Sequence, residues 1–100
     1  MHYKINFSEE ALADAAFAFE YYKDISFDLA ISFRQFLEDA IRRIVAMPNN
    51  YLNLEDGKHR RCKIKHFPYI LIYEVLGDSV IVKMVFHQSE NPERHSKRLK

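Results

Sequence analysis

Four side chains late in the chain have the types that proton transfer and anion binding require. His87 carries an imidazole, a group that can serve as a general acid or base. Arg61, Lys63 and Lys65 place a cation at every second residue, a spacing that puts all three on one face of an extended strand. Cations of this kind can hold a phosphate or stabilise negative charge developing on one. Together the four make a candidate catalytic set for phosphate-ester chemistry. The same residues also fit a solvated strand face and a hydrogen-bonded histidine at a strand end. Metal chemistry is not expected. His2, His59, His66 and His95 show no ligand-like pairing at three or four residues, and a single cysteine cannot complete a usual zinc set. Cys62 alternates with Ile64 on what should be a packed face, so it reads as core. Gly57 and Gly77 are the only glycines, which leaves no phosphate-cradling loop, and no cofactor is expected.

The elements that must position these groups follow from periodicity. Tyr3 to Phe7 alternates apolar and polar residues as a half-buried strand does. Ser8 is a natural N-cap, and Glu9 and Glu10 occupy the first turn, where the helix dipole favours negative charge. The helix then runs to about Tyr22, with Leu12, Ala15, Ala16, Phe19 and Tyr22 as its core stripe. Lys23-Asp24-Ile25 reads as a short break and Ser26 as the cap of a second helix. That helix carries Leu29, Ala30, Phe33, Leu37, Ala40, Ile41 and Ile44 on one stripe and stops before Pro48. The pair forms an antiparallel helical hairpin.

A polar connection from Pro48 to Lys58 leads to a strand over Arg60–His66, where Cys62 and Ile64 face inward. Pro68 marks a bend. Tyr69–Val75 is apolar except for Glu74, as suits a central strand covered on both faces. Gly77-Asp78 fits a two-residue type II′ turn into a last strand, Val80–Phe86. The tail from Gln88 on is polar. The order β-α-α-β-β-β predicts an α+β domain spanning 1–100, a helical hairpin packed on a mainly antiparallel sheet.

Length and charge set outer bounds. One hundred residues suffice for one core and not for two. The single cysteine rules out an internal disulfide and points to a reducing cytoplasm. No apolar run approaches the ~20 residues that cross a bilayer, and the first residues read as a strand and not as a signal peptide. Net charge is +1, split as 5 Lys/Arg against 8 Asp/Glu in residues 1–50 and 10 against 6 in residues 51–100. A nucleic-acid enzyme of this size usually carries a stronger positive field.

Four off-stripe residues point to a protein partner. Phe17 and Tyr21 project well away from the core stripe of the first helix and are i, i+4 neighbours. Phe27 and Ile31 do the same on the second. Two apolar pairs on adjoining helices are candidate anchors for a bound polypeptide segment or for self-association.

The chain also resembles the RelE/ParE superfamily, the toxin halves of toxin–antitoxin pairs, sometimes called plasmid-stabilisation proteins. The likeness rests on Ser8-Glu9-Glu10-Ala11, Asp14, Tyr21-Tyr22, Ile44 with Met47-Pro48, Gly57 and Arg60-Arg61. It continues through Phe67-Pro68-Tyr69, Tyr73, His87 and Asn91-Pro92-Glu93 with Arg94. The resemblance implies a growth inhibitor of a type II system, neutralised by a cognate antitoxin in a hetero-oligomer. That antitoxin is expected on Phe17, Tyr21, Phe27 and Ile31. One branch of the superfamily cuts messenger RNA on the ribosome; the other poisons DNA gyrase by binding it. The chain looks closer to the second, ParE-like branch. Ile70 stands where the ribonuclease branch tends to carry an arginine, residues 88–100 contain no Tyr, Phe or Trp, and Gln88 follows His87 where several ribonucleases place a tyrosine. The expected activity is therefore gyrase inhibition. The alternatives are a ribosome-dependent endoribonuclease using His87, Arg61, Lys63 and Lys65, or an inactive relative that keeps only antitoxin binding.

Overall fold

The hydroxyl of Ser8 serves two elements at once. It accepts the Ala11 N–H at 3.1 Å, capping helix α1 (Glu9–Ile25), and it lies 3.2 Å from the Lys83 carbonyl, to which it donates. Ser26 is equally economical. Its N–H closes α1 on the Tyr22 carbonyl at 2.8 Å, while its side chain accepts from Leu29 N–H at 3.3 Å to open α2 (Phe27–Ala46). One extended residue thus separates the helices, where the sequence suggested a three-residue break; Lys23, Asp24 and Ile25 all belong to α1. These details come from a computed structural model that describes residues 3–89. His2, His95, the Asn91-Pro92-Glu93 segment, Arg94 and the tail from 90 onward lie outside the described residues.

The strands are β1 (Lys4–Phe7), β2 (His59–Lys63), β3 (Tyr69–Leu76) and β4 (Ser79–His87), in the order β1-β4-β3-β2. β1 runs parallel to β4 and the other two pairings are antiparallel, so the sheet is mixed. Leu76 and Ser79 pair across Gly77-Asp78, and Gly77 takes the positive φ of 61° that the first position of a type II′ turn needs. β2 is shorter than the pattern suggested. It ends at Lys63, so Lys65 and His66 lie in the turn to β3.

Both helices cover one face of the sheet. Phe33, Ile44, Ile64, Leu71, Tyr73, Val80 and Val82 form the centre of this core. Tyr22 sits among Phe67 and Phe33, with ring centroids 5.0 and 5.3 Å away. Burial pushes the Tyr73 hydroxyl well above its ordinary pKa, and it donates to the Pro48 carbonyl at 2.6 Å. The opposite face holds a second cluster of Ile70, Ile72, Met84 and Phe86, with Leu54 packed against it.

The stripe of α1 differs from the predicted one. Ala11, Ala18 and Tyr22 are the buried positions, whereas Leu12 and Ala16 are exposed and Ala15 and Phe19 half-buried. Alanines face the sheet because their small side chains let the helix approach it closely. The larger Leu12 is turned outward by that choice of face.

Candidate functional site

β4 contains one residue too many for its partner. Ile72 pairs with Met84 and Tyr73 with Val82, leaving Lys83 as a bulge. Side chains before it alternate with Val80 and Val82 toward the helices. After it, Met84 and Phe86 turn to the far face, while Val85 and His87 turn to the helices. A bulge of one residue inverts the facing of everything beyond it. The Ser8 hydroxyl holds the Lys83 carbonyl, and Asp14 of α1 accepts the Val85 N–H at 3.0 Å, so α1 fixes the strand on both sides of the bulge.

His87 is therefore delivered to a cleft between α1 and the ends of β3 and β4. The cleft measures about 800 Å³, and Asp14, Phe17, Tyr21, Ile25, Tyr69 and His87 are among its walls. Phe17 is 75% exposed, Tyr21 55% and Ile25 61%. They follow one another at four-residue intervals, so a single ridge of α1 borders the opening. The His87 ring stands edge-on to Tyr69, centroids 5.1 Å apart. Its Nδ1 accepts the Ser89 N–H at 3.1 Å and lies 2.7 Å from the Ser89 hydroxyl. With Nδ1 accepting, the neutral ring carries its proton on Nε2.

The cationic candidates are placed elsewhere. Arg61 pairs with Ile72 and Lys63 with Ile70, on the face away from the helices. β2 lies two strand spacings from β4, about 10 Å. His87 and Arg61 thus leave opposite faces of the sheet as well as different strands. Lys65 is beyond the end of β2. The four residues that sequence alone grouped as a catalytic set do not converge, and buried Ile70 stands between the two strands.

Of the four anchor candidates, Phe17 and Tyr21 line the cleft together. Phe27 is 61% exposed just past the Ser26 corner, and Ile31 is half-buried against the fold. Ile25 belongs to the ridge and was not singled out, because Lys23-Asp24-Ile25 read as a break. Continuing the Phe17, Tyr21 interval by four more residues is the signal that finds it.

Other polar groups stabilise the loop before β2. Asp56 accepts the N–H groups of Lys58 at 2.8 Å and His59 at 2.9 Å, and its other oxygen is 2.7 Å from His59 Nδ1. The His59 backbone bond, the His59 ring and the Lys58 backbone bond, in that order, draw the Asp56 pKa down to about 2. Buried Glu74 faces Lys58 Nζ at 3.1 Å, an ion pair without hydrogen-bond alignment. Among the described residues no group of three His, Cys, Asp or Glu could hold a metal ion, and no helix is long and apolar enough to cross a membrane.

Comparison with known proteins places this arrangement. A family model described as the ParE toxin of the type II toxin–antitoxin system parDE matches residues 5–92. The chain belongs to the ParE toxin family. Its fold is similar to a chain of the chromosomal ParDE toxin–antitoxin system of P. aeruginosa, with TM-score 0.74 and 13% identity over 86% of this chain and 96% of that one. It is also similar to a mutant E. coli toxin RelE in the free state, with TM-score 0.66 and 19% identity over 99% and 96%. No curated protein matches by sequence. As a ParE-family toxin the chain has the expected α+β order of one strand, two helices and three strands. At 19% identity, the likeness to RelE is one of fold.

Proposed function

We propose that this toxin acts in the cytoplasm by binding DNA gyrase and that a cognate antitoxin silences it by occupying the α1 cleft. The observation that carries the choice of target is the separation of His87 from Arg61. Cleaving RNA needs a base for the ribose hydroxyl, a charge stabiliser at the phosphate and an acid for the leaving oxygen, all within hydrogen-bond reach of one scissile group. Groups on opposite faces of a sheet do not meet that condition. A binding toxin needs only a shaped surface, which this fold supplies.

Antitoxin binding is supported by the Phe17-Tyr21-Ile25 ridge beside the cleft. Apolar groups at four-residue intervals match an amphipathic helix laid into a groove. Fully burying an apolar side chain such as Phe17 or Ile25 is worth about 1.5–3 kcal/mol, enough for the ridge to dominate an interface. The β1 edge of the sheet is a second place where such a partner could add a strand. Induced expression without antitoxin tests the target. Loss of supercoiling and a DNA-damage response are expected; early codon-specific cleavage of messenger RNA would favour the ribonuclease alternative, and unimpaired growth an inactive relative.

A further inference from the structure

The exposed rings of α1 stand among carboxylates. At ~100° per residue, Glu10, Asp14, Glu20 and Asp24 all lie within about 60° of Phe17 around the helix axis. Asp14 falls on the cleft side of the ridge, where it is half-buried in the wall and accepts the Val85 N–H at 3.0 Å. Glu20 and Asp24 fall on the outer side, and both are exposed, as is Glu10 two turns before Phe17. Phe17 and Tyr21 therefore emerge between two lines of acidic groups.

Little on the helix offsets that charge. Lys23 is the one basic residue in α1, and its Nζ stands 4.0 Å from Glu20 with side chains 49% and 62% exposed. An ion pair so open to solvent contributes little. Among the described residues, no lysine or arginine lines the cleft. Four carboxylates against the single Lys23 give this side of α1 a formal charge of −3, opposite in sign to the +1 of the whole chain. The surface is apolar along its crest and negative along its flanks.

A partner that covers Phe17 and Tyr21 also covers the carboxylates beside them. Taking a carboxylate out of water is costly unless a positive charge or a hydrogen-bond donor replaces the solvent. A wholly apolar segment would gain the rings and lose that solvation. An acidic segment would add repulsion, and a phosphate backbone carries the wrong sign as well. A helix with one apolar stripe and lysine or arginine on either side of it meets both conditions. We propose that the α1 ridge and cleft bind a basic amphipathic helix, with its apolar stripe on Phe17, Tyr21 and Ile25 and its cations over Glu20 and Asp24. This rests on the α1 cleft being the docking surface, and it adds the charge that the bound segment carries. In the antitoxin, the segment that enters the cleft is accordingly cationic on the flanks of its apolar stripe.

The test uses the full chain and two labelled synthetic helices of equal length. Both carry the same leucine stripe, and the flanking positions are lysine in one and glutamate in the other. The lysine helix should bind the wild type at least about tenfold more tightly, by a margin that shrinks as salt is added. Glu20→Lys/Asp24→Lys should weaken the lysine helix about tenfold and strengthen the glutamate helix. Glu20→Gln/Asp24→Asn, which only removes charge, should give a smaller change in the same direction. Both side chains are exposed, so circular dichroism of these variants should match the wild type. Phe17→Ala/Tyr21→Ala should weaken both helices. If the two helices bind the wild type equally and the alanine pair weakens both, the cleft stands as a docking surface and the charge assignment is overturned. A lysine preference that survives Glu20→Lys/Asp24→Lys overturns it too. Binding of neither helix, or binding indifferent to Phe17 and Tyr21, overturns the charge assignment and the cleft together. A toxin dimer in sedimentation that the alanine pair dissociates also overturns the proposal, by making a second copy of the chain the occupant.

Discussion

The two faces of one sheet have been put to different uses. The helix-covered face opens at its end into a cleft with an exposed aromatic ridge and a hydrogen-bonded histidine. The far face pairs exposed Arg61 and Lys63 with a buried apolar cluster, Ile70 and Ile72 beside Met84 and Phe86. Without the bulge, strict alternation through Lys83 would carry His87 to the same face as Ile81 and Arg61. With it, the histidine joins Phe17 and Tyr21. A single bulge thus decides whether the end of β4 shares a face with the basic side chains of β2 or lies beside the exposed ridge of α1.

The largest effect should come from spoiling that ridge. Phe17→Glu/Tyr21→Glu is expected to lower antitoxin affinity at least about a hundredfold, close to 3 kcal/mol, while the exposed positions leave the fold intact. Titration calorimetry against the antitoxin measures this, and unchanged affinity would discard the cleft as the docking surface. The far face should respond in the opposite way. Ile72→Ala removes a buried side chain and should cost about 2–4 kcal/mol of stability in a denaturant titration. Antitoxin affinity of the folded fraction should stay the same.

The smallest expected effect concerns the loop that leads into β2. Asp56 has a folded pKa of about 2, below its ordinary 3.8. A depressed carboxylate pKa gives stability that is present above the unfolded value and lost as pH falls through the folded one. Stability should therefore fall between about pH 4 and pH 2. Because the side chain is 41% exposed, solvent screening should keep the loss to about 1 kcal/mol or less. Asp56→Asn should flatten that part of the curve, and a curve identical to wild type would remove Asp56 as the group responsible.

Much of this was legible in the sequence. The caps at Ser8 and Ser26, the stop at Pro48, the apolar strand Tyr69–Val75 and the Gly77 turn all rest on local chemistry, and they stand where the pattern put them. Phase was harder to read. The α1 stripe was misplaced because Leu12 outweighs alanine in any hydrophobic pattern, while packing against the sheet selected Ala11 and Ala18. The strand order was not readable, since β1 joins β4 through a long-range parallel pairing that no turn specifies. The dispersal of the four catalytic candidates was hidden for a similar reason. Lys83 looks like an ordinary outward residue of an alternating strand, and nothing near it announces a bulge. Its causes, Ser8 and Asp14, lie more than seventy residues away in the chain.

The central claim is that this toxin works by binding and not by acid–base chemistry. Purified wild-type protein and the His87→Ala/Arg61→Ala variant can be compared directly in a gyrase supercoiling assay, alongside cleavage of ribosome-bound messenger RNA. The account predicts that both proteins inhibit supercoiling equally and that neither cuts the message. Supercoiling left untouched, with mRNA cleavage by the wild type that the double substitution abolishes, would contradict it.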